Sequence, residues 1–164
     1  KAQSLSWDLH FLFIPYPYFL YIFRDEGGIK MRSLKISDHL ITNPVKIAST
    51  ATIGEAARTI IDNKVSGVIV VNENDEVEGM LSELDCLKSL LTEIYNEGQV
   101  GKELVTIEMS APVTYNKPEE DIISVAQSML DQKQRRRPVI DNGKLIGQIT
   151  CRQLLSAIMA FGSK

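Results

Sequence analysis

Gly79-Met80-Leu81-Ser82-Glu83-Leu84-Asp85 is the stretch on which the fold turns. Gly79 to Leu81 read as the end of a strand, Ser82 is a helix-capping residue type, and Asp85 stands one turn inside the helix that follows. A near copy, Gly147-Gln148-Ile149-Thr150-Cys151-Arg152-Gln153, begins 68 residues later. The copy keeps the glycine, the apolar residue and the hydroxyl but carries Gln153 where the first has the carboxylate of Asp85. The chain therefore contains a repeat, and its halves are chemically unequal.

Upstream of this junction, Val68-Ile69-Val70-Val71 is a β-branched run suited to a buried strand, and Asn72 to Glu76 supplies a polar turn before the returning strand, Val77 to Leu81. Thr52 and Glu55 form a capping-box pattern, followed by Ile53, Ala56, Ala57, Ile60 and Ile61 at helical spacing. Pro44 opens a short strand around Val45 to Ile47, and Lys35 to Ile41 reads as a single helical turn before it. Downstream, Leu84, Leu87, Leu90, Leu91 and Ile94 form one stripe, expected to be the buried face of the second helix. The second half repeats the order. Met109-Ser110-Ala111-Pro112-Val113 answers Ile41-Thr42-Asn43-Pro44-Val45, and Ile122, Val125, Ala126, Met129 and Leu130 line a helix. Pro138-Val139-Ile140 is the matching strand, Asp141-Asn142-Gly143 turns the chain, Leu145 to Ile149 returns, and Leu154, Leu155, Ile158 and Met159 line the last helix. Each half is expected to run strand, helix, strand, strand, helix.

This doubled framework resembles a tandem pair of CBS domains (a Bateman module), the regulatory modules named after cystathionine β-synthase. The resemblance covers roughly residues 36 to 161, as repeats 36–97 and 104–161. Besides the doubled order of elements, it is carried by Arg137-Pro138-Val139-Ile140-Asp141, similar to the family's apolar-Pro-Val-Val-Asp, and by Gly79 to Asp85, similar to its Gly-apolar-x-Ser/Thr-x-x-Asp nucleotide signature. It implies an α/β (α+β) fold of two β-α-β-β-α repeats, related by a pseudo-twofold axis and packed sheet to sheet. It further implies two clefts between the halves that accept adenine nucleotides or S-adenosylmethionine, and a homodimer shaped as a flat disc. The function implied is a non-enzymatic sensor that binds AMP, ADP, ATP or S-adenosylmethionine, requires no cofactor and signals occupancy to a partner protein. The alternative is a ligand-free dimerisation or adaptor module.

A ribose offers two neighbouring hydroxyl donors, which an ionised carboxylate accepts better than the single amide oxygen of Gln153. Asp85 is thus the expected ribose anchor, with Ser82 and the free N–H groups of the helix start available to phosphate. By the resemblance, the other half completes this main cleft with Met109, Ser110, Pro112, Thr114, Arg135, Arg136 and Arg137, the arginine forks matching phosphate oxygens. Arg137 departs from the family pattern, which has an apolar residue before the proline. The bland readings stand beside these: Ser82-x-x-Asp85 is also what helix capping alone requires, and an arginine run is also a solvated patch. The second cleft would use Thr42, Lys46, Ser66, Gly67, Thr150 and Gln153. Lacking the carboxylate, it is expected to be empty or weak.

The net charge of -3 and pI near 5.4 argue against nucleic acid as a partner. Cys86 and Cys151 stand apart from any second Cys or His at metal-ligand spacing and read as free thiols of a reducing cytoplasm. His10 and His39 read as surface residues, and no P-loop, Gly-x-Ser-x-Gly or His-Glu-x-x-His pattern is present. Eight of the eleven aromatic residues precede residue 24. The apolar run from Phe11 to Phe23 is short of the roughly 20 residues a membrane span needs and contains Pro15 and Pro17. Codons allowed by Glu26-Gly27-Gly28 can form a purine-rich ribosome-binding sequence just ahead of Met31. Residues 1–30 are accordingly expected to be upstream sequence read as protein, with translation starting at Met31; the competing reading is an aromatic segment that docks on the body or on a membrane surface.

Overall fold

The computed structural model describes residues 33–162, together with Arg24–Asp25 (β1) and Gly28–Ile29 (β2), which pair antiparallel. These two strands belong to a unit separate from the body, which spans Lys35–Lys164. His10, and nearly all of the segment expected to be non-native, lie outside the described residues.

The body opens with a 3₁₀ turn, Ile36–Asp38, where the single helical turn is expected. The first repeat continues with β3 (Lys46–Ala48), α1 (Ile53–Asp62), β4 (Gly67–Val71), β5 (Val77–Ser82) and α2 (Glu83–Tyr95). The second has α3 (Val105–Glu108), α4 (Ile122–Asp131), β6 (Arg136–Asp141), β7 (Lys144–Thr150) and α5 (Cys151–Gly162). The start of α1 follows from its sequence: Thr52 N–H donates to Glu55 Oε2 at 2.8 Å, and Glu55 N–H returns to Thr52 Oγ1 at 3.3 Å. The β-branched run forms β4, every residue of which is buried between parallel β3 and antiparallel β5.

The second sheet differs from expectation. Only β6 and β7 pair as strands, and the expected first strand is reduced to one parallel bridge between Asn116 and Val139. The cause is a pair of missing donors. In the first repeat Ser49 N–H extends the ladder to Val71 O at 2.8 Å. The residue 69 positions on is Pro118, which has no N–H to give, and Ile69, whose N–H bonds Val45 O at 3.1 Å at the other end of the ladder, is likewise answered by Pro138.

The two repeats exchange their leading segments, and this makes the pseudo-twofold relation visible in hydrogen bonds. Ile41 pairs with Gln148 of β7, and reciprocally Ser110 pairs with Met80 of β5, each through two backbone bonds of 2.8–3.1 Å. Lys35 bridges to Asp121 at the start of α4, and Leu104 to Thr52 at the start of α1. Val105 is consequently fully buried in the first repeat's core, with Ile53, Ala56, Ile60, Val68, Val70 and Leu81. Its counterpart Ile36 is likewise fully buried, with its N–H on Glu120 O of the second repeat. Gly147 accommodates the exchange, since a Cβ there would lie 2.5 Å from Ile41 O.

The apolar stripe on α2 is a correction. Leu84, Leu87, Leu91 and Ile94 are exposed, and the buried face is Cys86 and Ser89, with Leu90 half-buried against the core. On α5, Leu154 and Ala157 are buried, whereas Leu155, Ile158 and Met159 are exposed. Ile61 and Leu130, at equivalent ends of α1 and α4, also face outward. Helices α2 and α5 each pack on their own repeat through a narrow face and leave further apolar side chains exposed. Cys86 and Cys151 are free thiols; burial, with Asp85 beside it, pushes the Cys86 thiol up to about 11.

Candidate functional site

The strand-to-helix junction at Ser82 faces a cavity of about 410 Å³ between the repeats, within the range of small-molecule sites. Ser82, Glu83 and Asp85 contribute from the first repeat, and Ser110, Pro112, Thr114, Lys133, Gln134, Arg135 and Arg136 from the second. Ser82 N–H and Oγ–H both donate to Asp85 Oδ2, at 2.8 and 2.6 Å, and Asp85 N–H donates to Ser82 Oγ at 3.3 Å. The capping box is therefore complete. It uses only one carboxylate oxygen, and Asp85 Oδ1 makes no hydrogen bond to the described residues. Capping and an acceptor role toward the cavity are thus compatible in one side chain.

The helix start itself offers less to an anion than expected. Glu83 N–H is taken by Ser66 O at 3.2 Å and Asp85 N–H by Ser82 Oγ. Positive charge comes instead from the segment between α4 and β6, where Lys133 sits at a positive φ of 53°. Arg136 reaches across to the first repeat, donating to Gly67 O and Ser66 Oγ. Burial pulls its guanidinium below the ordinary arginine range, Glu83 opposing this and Arg135 adding to it. It stays protonated nonetheless.

Of the residues assigned to the main cleft, Ser82, Asp85, Ser110, Pro112, Thr114, Arg135 and Arg136 line the cavity. Arg137 does not: it is 2% exposed, with Nε on Gln134 Oε1 at 2.6 Å and Nη2 on Ser128 Oγ at 3.0 Å. Successive strand residues point to opposite faces, so Arg136 and Arg137 cannot both face the cleft. Met109 packs against the first repeat's core beside Gly79 and is not among the lining residues. Sequence reading missed Met80, Leu81, Glu83, Leu84, Val113, Lys133 and Gln134 as lining residues. The run Lys133-Gln134-Arg135-Arg136 was a usable signal for two of them.

The residues assigned to the second cleft are largely engaged elsewhere. Lys46 pairs with Asp75 at 2.5 Å, Thr150 Oγ1 donates to Gln153 Oε1, and Ser66 lines the main cavity with its hydroxyl on Arg136. Thr42 is exposed, and Gly67 O holds Arg136. A smaller hollow, lined by His39, Arg152, Gln153, Ser156, Ala157 and Ala160, takes only Gln153 from this set. His39, expected at the surface, is half-buried there. Among the described residues no helix is long and apolar enough to cross a membrane, and no cluster of metal-ligating side chains occurs.

The family model for the CBS domain matches twice, over residues 36–92 and 101–160. The chain belongs to the CBS domain family. The CBS pair is 29% identical over 127 residues to an uncharacterized protein of Methanopyrus kandleri, covering 76% of this chain and 63% of that one. The chain thus spans less than two thirds of that relative's length. Among solved structures, CBSX2 in complex with AMP superposes with a TM-score of 0.70 at 24% identity, covering 80% of this chain and 100% of that one. The CBS domain pair of protein MJ0100, in complex with 5′-methylthioadenosine and S-adenosyl-L-methionine, gives 0.67 at 22% identity over 79% and 98% of the two chains. At these identities the superpositions establish the shared fold, α/β repeats in a pair.

Proposed function

We propose that the CBS pair is a non-enzymatic regulatory module that holds an adenine-containing nucleotide in the cleft at Asp85 and passes occupancy to a protein partner. The observation that carries this reading is Asp85 itself, which caps α2 with one oxygen and leaves the other for a ribose, opposite cations of the second repeat. Related folds hold AMP, 5′-methylthioadenosine or S-adenosylmethionine, which supports the ligand class. Because both repeats line the cleft and Arg136 ties them together, a ligand there bears on their relative position. Ligand at 100 times its dissociation constant stabilises a fold by about 2.7 kcal/mol, a rise of several degrees in melting temperature. A thermal-shift panel with AMP, ADP, ATP and S-adenosylmethionine is expected to show that rise for at least one compound in wild type and not in Asp85→Ala. No shift with any of them would move the reading to the adaptor alternative.

The uncovered face of α2 and α5 supports a homodimer as the working form. Leu87 and Leu91 recur 68 residues on as Leu155 and Met159, all four exposed, so the pair presents two equivalent apolar stripes that suit a symmetric second copy. Sedimentation is expected to give a dimer for wild type and a monomer for Leu91→Asp; a monomeric wild type contradicts the proposal.

A further inference from the structure

A polar pair inside the second repeat bears on the cleft. Gln134 is half-buried, lines the cavity and is fixed in the backbone by its N–H on Met129 O at 2.9 Å. Its carboxamide has an acceptor oxygen at one end and an NH₂ donor at the other, so its orientation decides what the cavity is offered. Arg137 fixes that orientation. A guanidinium only donates, so the atom 2.6 Å from Arg137 Nε is Gln134 Oε1 and not Nε2. Arg137 Nη2 donates to Ser128 Oγ on α4 at 3.0 Å, and with 2% of its surface exposed Arg137 has little freedom to leave these partners. No described residue accepts from Gln134 Nε2, which is thereby the polar atom of the carboxamide left to the cavity.

The first repeat shows that the fold does not need this pair. Sixty-nine positions earlier stand Val65 and Val68, in the same backbone setting: Lys64 and Lys133 have φ of 52° and 53°, and Val65 N–H meets Ile60 O as Gln134 N–H meets Met129 O. Val68 is fully buried in an apolar core, with Val65 packed against it. Thr59, the counterpart of Ser128, turns its hydroxyl back onto Glu55 O of its own helix. Two valines fill this place without burying a cation, and a buried cation costs stability that an apolar side chain does not. Folding alone therefore does not account for the polar pair. What the pair produces is a donor held toward the cleft.

We infer that Arg137 is a positioning residue of the main cleft, locking the Gln134 carboxamide so that Nε2 donates to an acceptor atom of the bound nucleotide. This rests on the nucleotide reading above. Without Arg137 the carboxamide is free to turn, and its oxygen facing a ligand acceptor would repel it rather than bind it. Loss of one neutral hydrogen bond corresponds to about 3- to 10-fold in affinity.

A double-mutant cycle tests this. AMP, ADP, ATP and S-adenosylmethionine are titrated calorimetrically into wild type, Gln134→Ala, Arg137→Met and the double variant, and the cycle is read on the compound that wild type binds most tightly. Each single change is expected to weaken binding about 3- to 10-fold, and Arg137→Met to add less than about 1.5-fold once Gln134 is alanine, because its effect runs through that side chain. Effects that multiply in the double variant overturn the inference, since they mark independent structural contributions; so does Gln134→Ala binding as wild type does. Gln134→Glu separates stability from binding: its carboxylate pairs with Arg137, so the melting temperature is expected to hold or rise while affinity falls at least as far as in Gln134→Ala, the donor being gone. Affinity kept in Gln134→Glu overturns the inference, and if Arg137→Met does not fold, Gln134→Glu decides alone. Binding of none of the four compounds to wild type overturns the inference and the nucleotide reading together, whereas a failed cycle on a bound nucleotide overturns the inference only.

Discussion

Ile36→Ala is expected to lower the unfolding free energy by about 2–5 kcal/mol, a large share of the roughly 5–15 kcal/mol a domain has. Ile36 is fully buried, and its turn is fixed by Ile36 N–H on Glu120 O at 3.0 Å and Ser37 N–H on Pro118 O at 2.9 Å. Those partners lie in the second repeat, more than 80 residues further along the chain. The damage should therefore appear far from the mutation in sequence. Hydrogen exchange is expected to lose protection first at buried amides of the second repeat, such as those of Val139 and Ile149, and later at Val68 and Val70 of the first. Loss confined to the first repeat would contradict the exchange of leading segments. Chemical denaturation measures the energy, and a cost below about 1 kcal/mol would show that the site is not a packed one.

The second large effect is on ligand binding. Asp85→Asn keeps a carboxamide oxygen able to accept from Ser82 N–H, so α2 remains capped and stability changes by less than about 1 kcal/mol. Gln153 illustrates the principle, its amide oxygen accepting from Thr150 Oγ1 at the start of α5. The charge, however, is gone, and with it the charge-assisted bonds to two ribose hydroxyls. Hydrogen bonds to charged groups are worth about 1.5–3 kcal/mol, so AMP affinity is expected to fall by about 10- to 150-fold. Equilibrium titration of both proteins measures this. Unchanged affinity would reduce Asp85 to a capping residue.

The framework was legible because each local signal had one physical outcome. Thr52 with Glu55, the run Val68 to Val71, and the glycine-to-acid junction at Gly79 to Asp85 each specified an element and its boundary, and the second copy repeated them. The α2 stripe was not legible in the same way. Spacing of Leu84, Leu87, Leu91 and Ile94 requires one apolar face but does not say whether the chain's own core or another molecule covers it, and the small residues Cys86 and Ser89 carry too little hydrophobic signal to mark the inner face. The missing first strand of the second repeat turned on two prolines, Pro118 at the counterpart of Ser49 and Pro138 at the counterpart of Ile69.

In the cleft, the arginine run pointed to positive charge, but side-chain direction depends on strand phase. Arg136 went to the cavity and Arg137 into the second repeat, where its buried donors meet Gln134 and Ser128. The repeat relation places Ser66 in the other cleft because it carries no information on side-chain reach; Arg136 draws it into the main cavity's wall. The asymmetry between Asp85 and Gln153 was visible from the start. Its geometric meaning, one oxygen for the cap and one for the cleft, needed the hydrogen bonds.

Backbone amide shifts in nuclear magnetic resonance on titration with AMP will locate an adenine nucleotide in the cleft at Asp85 if it binds there. The largest shifts are expected on residues 80–85, 110–114 and 133–136, with the titration saturating at one AMP per chain. Shifts concentrated instead around His39 and Arg152 to Ala160, or no shifts at millimolar AMP, would contradict binding in the cleft at Asp85.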